Sequence, residues 1–260
     1  MVKDLARGLA MVALCSVATA TAGQAQTVTD SSFFDELNRI DLKRWYISNG
    51  WVNGNHQGCT WSADQVRIAR GRLQLRLTKA RNALREYKCA EIRTHAKLGY
   101  GLYEARMRTA AGAGLNTAMF TYSGPPLTKV HDELDFEFLG RSPGQVQTNF
   151  WVNKVGGNEV NVPVPGGAAS AFNNYAIDWS PAGIKWYING RLVRSESGAS
   201  LPVTPGQFFL SLWSGAANMS SWLGTLSPTT RSVVAEVEWV GYSEPGTKCR
   251  FPQSISCTQP

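Results

Sequence analysis

His131-Asp132-Glu133-Leu134-Asp135-Phe136-Glu137-Phe138 reads as one β-strand with two chemically opposite faces. Side chains alternate across a strand, so His131, Glu133, Asp135 and Glu137 share one face and Leu134, Phe136 and Phe138 the other. The apolar face belongs to a core. The acidic face sets three carboxylates in a row, about 6.5–7 Å from one to the next along the backbone. Like charges so placed repel, and at least one of them should titrate high. A solvated outer face usually interleaves Lys, Thr or Ser among its acids, and none stands between these. A Ca²⁺ site also uses carboxylates, but a single straight strand seldom supplies a full oxygen cage and Asp135 is short.

Outward from this strand the period stays at two. Arg72-Leu73-Gln74-Leu75-Arg76-Leu77 alternates strictly, with the leucines on one face. Tyr100–Met107 alternates more loosely, and Gln145–Val152 carries Asn149 and Trp151 on one face. Ile184–Ile188, Asn189-Gly190 and Arg191–Val193 form a hairpin, because Asn-Gly accepts the positive φ angles of a type I′ turn. Phe208–Trp213 and Val233–Tyr242 are further strands. No segment holds a 3.6-residue apolar period over three turns. The chain is therefore all-β, a sandwich or barrel of many strands joined by Gly/Pro turns.

The chain has 260 residues, 43% of them hydrophobic and 17% charged, with 9 Trp. That suffices for one large β-sandwich. Lys3 and Arg7, the apolar run Leu9–Val17, and the small-residue sites Ala20-Thr21-Ala22 and Gly23-Gln24-Ala25 read as a signal peptide over residues 1–25. The run falls short of the ~20 residues that span a bilayer, and no later stretch is long and apolar enough to do so. A secreted or periplasmic protein with no membrane partner is expected. Cys15 falls within the signal, which leaves Cys59, Cys89, Cys249 and Cys257. An even number in an oxidising compartment favours two disulfides. Of three connectivities, proximity suggests Cys249 with Cys257, leaving Cys59 with Cys89. No C-x-x-C pair points to zinc. Residues 27–243 read as one domain and residues 244–260 as a short cysteine-clipped tail. The net charge of +7 suits an anionic polymer; no nucleic-acid motif accompanies it.

The acidic strand fits glycosidic-bond cleavage, in which a retaining enzyme uses two carboxyls about 5–5.5 Å apart as nucleophile and acid/base. Residues i and i+4 of a flat strand lie ~13 Å apart at Cα, and two glutamates leaning together cover most of the difference. Glu fits the outer positions and Asp the middle one. Glu133-Leu134-Asp135-Phe136-Glu137 resembles the E-x-D-x-E signature of glycoside hydrolase family 16. The resemblance extends over roughly Phe33 to Tyr242. Gly50-Trp51-Val52-Asn53-Gly54, Cys59-Thr60-Trp61, Cys89-Ala90-Glu91-Ile92-Arg93, Phe120-Thr121-Tyr122-Ser123-Gly124-Pro125 and Trp222-Leu223-Gly224 are similar to segments of bacterial lichenases, the endo-β-1,3-1,4-glucanases of that family.

The resemblance implies a β-jelly-roll of two antiparallel sheets with a curved substrate cleft, and a monomer that acts on polysaccharide without a catalytic cofactor. It implies Glu133 as nucleophile, Glu137 as acid/base and Asp135 assisting; strand geometry alone does not order the two glutamates. It implies cleft hydrogen bonds from Asn53, Glu91, Arg93, Tyr122 and Asn149, and flat apolar faces from Trp51, Phe120, Trp151, Trp213 and Trp222. Glu91 and Arg93 also read as simple surface ion-pair partners of another strand, while Trp186 and Trp239 read as core. The family's disulfide matches Cys59 with Cys89. A structural calcium site near the last strand has Glu238 where an Asp is usual. His131, grouped with the substrate-binding residues, stands where lichenases carry Trp; in this it is similar to xyloglucan-acting enzymes and to the exopolysaccharide-cleaving branch, and the Lys248–Cys257 tail is similar to that of the β-glycanases that cleave succinoglycan. Two further readings keep the fold: a transglycosylase using the same acids, and a non-catalytic carbohydrate-binding sandwich that would need neither glutamate.

Overall fold

The computed structural model describes residues 31–80, 84–246 and 249–258. The signal-peptide segment, residues 1–25, lies outside the described residues. Two sheets share one strand. The first runs, in spatial order, β11 (Val160–Pro163), β10 (Gln145–Trp151), β9 (Asp132–Leu139), β8 (Leu115–Ser123), β15 (Gln207–Ser214), β6 (Tyr87–Thr94) and β2 (Trp45–Ile47). The second continues from β6 through β5 (Arg72–Lys79), β16 (Ser232–Ser243), β7 (Gly101–Arg108), β12 (Asn173–Ser180) and β13 (Gly183–Ile188) to β14 (Arg191–Glu196). β1 (Phe33–Asp35) joins β16 and β4 (Val66–Ala69) joins β5. Pairing is antiparallel except where β3 (Cys59–Trp61) runs parallel to the start of β6. Helix is confined to short turns, among them α1 (Ser220–Leu223) and α2 (Ile255–Thr258). The architecture is an all-β, jelly-roll-like sandwich, as the period-two pattern requires.

The predicted strands hold. Leu73, Leu75 and Leu77 of β5 are fully buried. The β13–β14 hairpin turns at Asn189 (φ 50°) and Gly190 (φ 77°), both in the left-handed region that a type I′ turn uses. His131 lies one residue before β9, outside the strand ladder.

The core explains which way the acidic face points. Leu134, Phe136 and Phe138 are buried, and Phe136 and Phe138 meet Tyr175 of β12 at ring distances of 5.5 and 4.6 Å. Trp186 of β13 is buried, and its indole N–H donates across the sandwich to the Asp135 carbonyl at 3.1 Å. Its interior placement is the one expected; Trp239 is likewise buried, against Phe34. Strand β9 is thus clamped from inside by aromatic packing worth about 1.5–3 kcal/mol per fully buried large side chain, and its carboxylates face outward from the first sheet.

Both disulfides form as read, Cys59–Cys89 with Cα atoms 5.7 Å apart and Cys249–Cys257 at 4.3 Å. The second clips the tail, which docks on the outer face of the second sheet: Ile255 N–H donates to Glu104 at 2.8 Å. No helix among the described residues is long and apolar enough to cross a membrane.

Candidate active site

Strand register alone assembles the site. Directly paired residues of neighbouring strands share a face. Glu133 pairs with Trp151 of β10 and Tyr122 of β8. Asp135 pairs with Asn149 and Phe120, and that row continues through Phe209 to Arg93 and Tyr46. Glu137 pairs with Gln147 and Ala118, and beyond them stand Ser211 and Glu91. The next row holds Asn116 and Trp213. Seven of the polar and aromatic residues expected around the acids (Glu91, Arg93, Phe120, Tyr122, Asn149, Trp151 and Trp213) therefore lie on the one face that carries Glu133, Asp135 and Glu137. Small side chains at Ala118 and Ser211 leave room beside Glu137.

The two glutamates sit in unlike surroundings. The Glu133 side chain keeps 16% of its surface accessible, and His131 Nε2 lies 2.7 Å from its Oε2. Burial raises its pKa, while the hydrogen bonds from His131 and Asp135 oppose that rise. Asp135 is buried between two carboxylates, and burial, followed by the charges of Glu133 and Glu137, lifts it well above the usual carboxylate range. A side-chain hydrogen bond between Asp135 and Glu133 raises Asp135 further and opposes the rise of Glu133. Glu137 is pushed up to about 8, first by burial and further by the Glu133 charge, against the opposing hydrogen bond that Asn116 Nδ2 donates to its Oε2. One strand thus carries, at one end, a carboxyl whose rise is opposed by hydrogen-bond donors and, at the other, a carboxyl pushed up to about 8. Buried polar atoms without a protein partner among the described residues cluster beside them: Asp135 Oδ1, Asn149 Oδ1 and Arg93 Nε. Such atoms are costly unless another hydrogen-bonding group meets them, which suits a hydroxyl-rich substrate.

The aromatic residues divide by role. Phe120 stacks on Phe209 at 4.7 Å, and Trp213 leans on Trp222 at 6.2 Å. Trp222 Nε1 donates to Gln147 at 3.0 Å, which ties the α1 turn to β10. Trp51 packs edge-on against Trp61, and Asn53 is exposed in a loop whose His56 carbonyl accepts from Ala216 N–H at 2.8 Å. Neither is in the rows that hold the carboxylates. Glu91 is no surface ion-pair partner. It is 3% exposed, accepts Ser48 Oγ at 2.5 Å, and is pushed up to about 7 by burial. Arg93 instead lies over the Tyr46 ring at 4.2 Å. Tyr46, Ser48, Asn116 and Gln147 carry no sequence signal; each is a lone polar residue in its segment, brought to the site residues Arg93, Glu91, Glu137 and Trp222 only by the fold.

Glu238 is held by Arg106 at 2.6 Å and Arg72 at 3.0 Å. Two guanidinium groups already neutralise this carboxylate, so its surroundings do not fit a divalent cation, and no step of the chemistry involves one.

A β-sandwich whose outer face carries two carboxyls in unlike surroundings four residues apart, ringed by aromatic and amide side chains, defines an enzyme that cleaves glycosidic bonds. Comparison with known proteins agrees. The model for "Glycosyl hydrolases family 16" matches residues 53–241. The chain is 42% identical over 227 residues to the endo-1,3-1,4-beta-glycanase ExoK of Rhizobium meliloti (strain 1021), covering 87% of this chain and 84% of that one. It is 37% identical over 241 residues to a beta-glucanase of Bacillus subtilis (strain 168), covering 92% and 96%. The solved Bacillus licheniformis beta-glucanase superposes with a TM-score of 0.78 at 36% identity, over 83% of this chain and 99% of that one. The chain belongs to glycosyl hydrolase family 16, and it is a glycoside hydrolase.

Proposed function

We propose that this protein is an exported, retaining endo-β-1,3-1,4-glycanase that depolymerises β-glucan or an acidic bacterial exopolysaccharide. The carrying observation is the unlike surroundings of two glutamates on one strand: His131 Nε2 lies 2.7 Å from Glu133 Oε2, while Asn116 donates to Glu137, which burial pushes up to about 8. Glu133 attacks the anomeric carbon while Glu137 gives its proton to the departing glycosidic oxygen. Water then attacks the glycosyl–Glu133 ester, giving its proton back to Glu137 and freeing the Glu133 carboxylate. Asp135, between them, hydrogen-bonds to Glu133. Arg93, Asn149 and Tyr122 supply polar contacts along the cleft, and Phe120, Trp213 and Trp222 supply apolar surface for sugar C–H faces.

Support for the polymer class comes from the similarity to the Rhizobium endo-1,3-1,4-beta-glycanase, together with the +7 charge. Two disulfides support an oxidising compartment. The test is turnover of lichenan, laminarin, xyloglucan and succinoglycan by the wild type, Glu133→Gln and Glu137→Gln. The reading expects mid-chain cleavage of at least one β-1,3-1,4-linked polymer and near-complete loss in both variants. Wild-type-like turnover by either variant would overturn it.

A further inference from the structure

The sequence resemblance groups His131 with the residues that touch substrate. Its surroundings in the fold point elsewhere. The His131 ring stacks on Trp151 at 5.2 Å with planes 14° apart, and Tyr122 closes on it at 5.1 Å. Each flanking ring is itself fixed by backbone. A Cβ on Gly156 would stand 2.8 Å from three Trp151 ring atoms, so the backbone there lies directly against the indole. A Cβ on Gly124 would stand 2.4 Å from the Tyr122 hydroxyl, and that hydroxyl donates to the Pro125 carbonyl at 2.8 Å. The backbone of His131 is held too, its carbonyl accepting Lys154 N–H at 2.9 Å. A ring confined in this way presents one nitrogen, Nε2, to Glu133 Oε2 at 2.7 Å.

We propose that His131 is a positioning residue for the nucleophile, and that Trp151 and Tyr122 form the frame that aims it. The inference rests on Glu133 being the nucleophile. The ring N–H stays on nitrogen through both half-reactions. It holds the carboxylate in one rotamer before attack, and it stabilises the charge that returns to Glu133 when water displaces it from the sugar. Trp151, with the Gly156 backbone against its ring and His131 stacked on it, acts through this frame and not as an open platform for a sugar ring. The other titratable groups facing Glu133 are Asp135 and Glu137 on its own strand and Tyr122 on β8; Trp151 faces it from β10. Asp135 and His131 hydrogen-bond to it, while Glu137 and Tyr122 carry no positive charge at any pH. Loss of the His131 hydrogen bond should therefore make Glu133 harder to ionise.

The test compares the wild type with His131→Phe, which keeps a ring in the stack but loses the donor, and with His131→Gln, whose amide can donate again. The readouts are kcat, KM and the pH profile of kcat/KM on whichever polymer the wild type cleaves. A hydrogen bond to a charged group carries about a ten- to hundredfold effect. His131→Phe should lose that much in kcat, keep KM within about twofold, and shift the acid limb to higher pH. His131→Gln should recover part of kcat and return the limb toward the wild-type position. A raised KM with unchanged kcat and an unmoved acid limb would overturn the assignment and return His131 to substrate contact. Should His131→Phe not fold, the His131→Gln profile decides alone: a measurable shift in the limb supports positioning, and a KM effect without one refutes it. Activity in Glu133→Gln would instead fault the underlying reading of the nucleophile, whatever His131 does.

Discussion

Replacing Gly156 by Ala adds one methyl group, outside the carboxylate strand, yet it should disable the enzyme. The new Cβ would stand 2.8 Å from three atoms of the Trp151 ring, where carbon atoms prefer about 3.5–4.0 Å. Something must move by about 0.7–1 Å. The loop cannot yield easily, because it is tied at three points: Val152 and Val155 exchange hydrogen bonds of 3.0 and 2.9 Å, Lys154 N–H reaches the His131 carbonyl, and Asn153 N–H reaches Asp132 Oδ1 at 2.9 Å. The displacement passes to the indole, from there to the stacked His131, and so to the hydrogen bond on Glu133. Misplacement of reacting groups by about 1 Å costs on the order of a hundredfold in rate, and overpacking costs about 1–3 kcal/mol of stability. The assay is kcat and KM on the best polymer, with thermal melts beside it. Gly144→Ala is the control, since its Cβ meets nothing within 4 Å, and it should be neutral in both. Wild-type kcat in Gly156→Ala would refute the relay from loop to nucleophile.

Three other perturbations test separate parts of the account. Glu137 must be protonated to act as acid and is pushed up to about 8, so kcat/KM should fall above about pH 8. Asn116→Ala removes the bond that lowers that value, so the basic limb should move to higher pH as kcat drops about tenfold or more; a limb that stays in place would contradict it. Glu104 is 1% exposed, one oxygen lacks a partner, and burial pushes it up to about 7 against an ordinary 4.5. Its folded pKa lies above its unfolded one, so it weakens the fold progressively as pH rises from about 4.5 through 7. Glu104→Gln should stabilise by on the order of 2 kcal/mol above pH 7 and by little at pH 4, read from urea melts at both; equal effects at the two would refute the charge argument. Finally, closing about 30 residues should stabilise by about 3.5 kcal/mol and closing about 8 by about 2.5 kcal/mol. The Cys59→Ala/Cys89→Ala pair should therefore melt earlier than Cys249→Ala/Cys257→Ala, and the reverse order would show that tail docking matters more than loop entropy.

The acidic strand was legible because its signal is local. A period of two needs only adjacent residues, and eight of them separate the core face from the reactive face. The Asn189-Gly190 turn was legible for the same reason. The order of the two glutamates was not. It depends on Asn116 beside Glu137 and on His131 beside Glu133, and Asn116 arrives from another strand with no motif around it. Glu91 and Arg93 were placed correctly on one face, but their partners were not foreseeable, since Tyr46 comes from β2 and Ser48 is the residue just after that strand, over forty residues earlier. Trp151 shows a different limit. Sequence offers it as a flat surface for sugar, while the Gly156 backbone lies against its ring and His131 stacks on it at 5.2 Å. Helical turns such as Ser220–Leu223 are too short to leave a period.

The central claim, that Glu133 is the nucleophile and Glu137 the proton donor, is tested most directly by trapping the covalent intermediate. The protein would be incubated with a 2-deoxy-2-fluoro β-glycoside bearing a good leaving group, digested, and the labelled residue located by mass spectrometry. A single sugar on Glu133 is the predicted result, and a sugar on Glu137 would contradict the assignment.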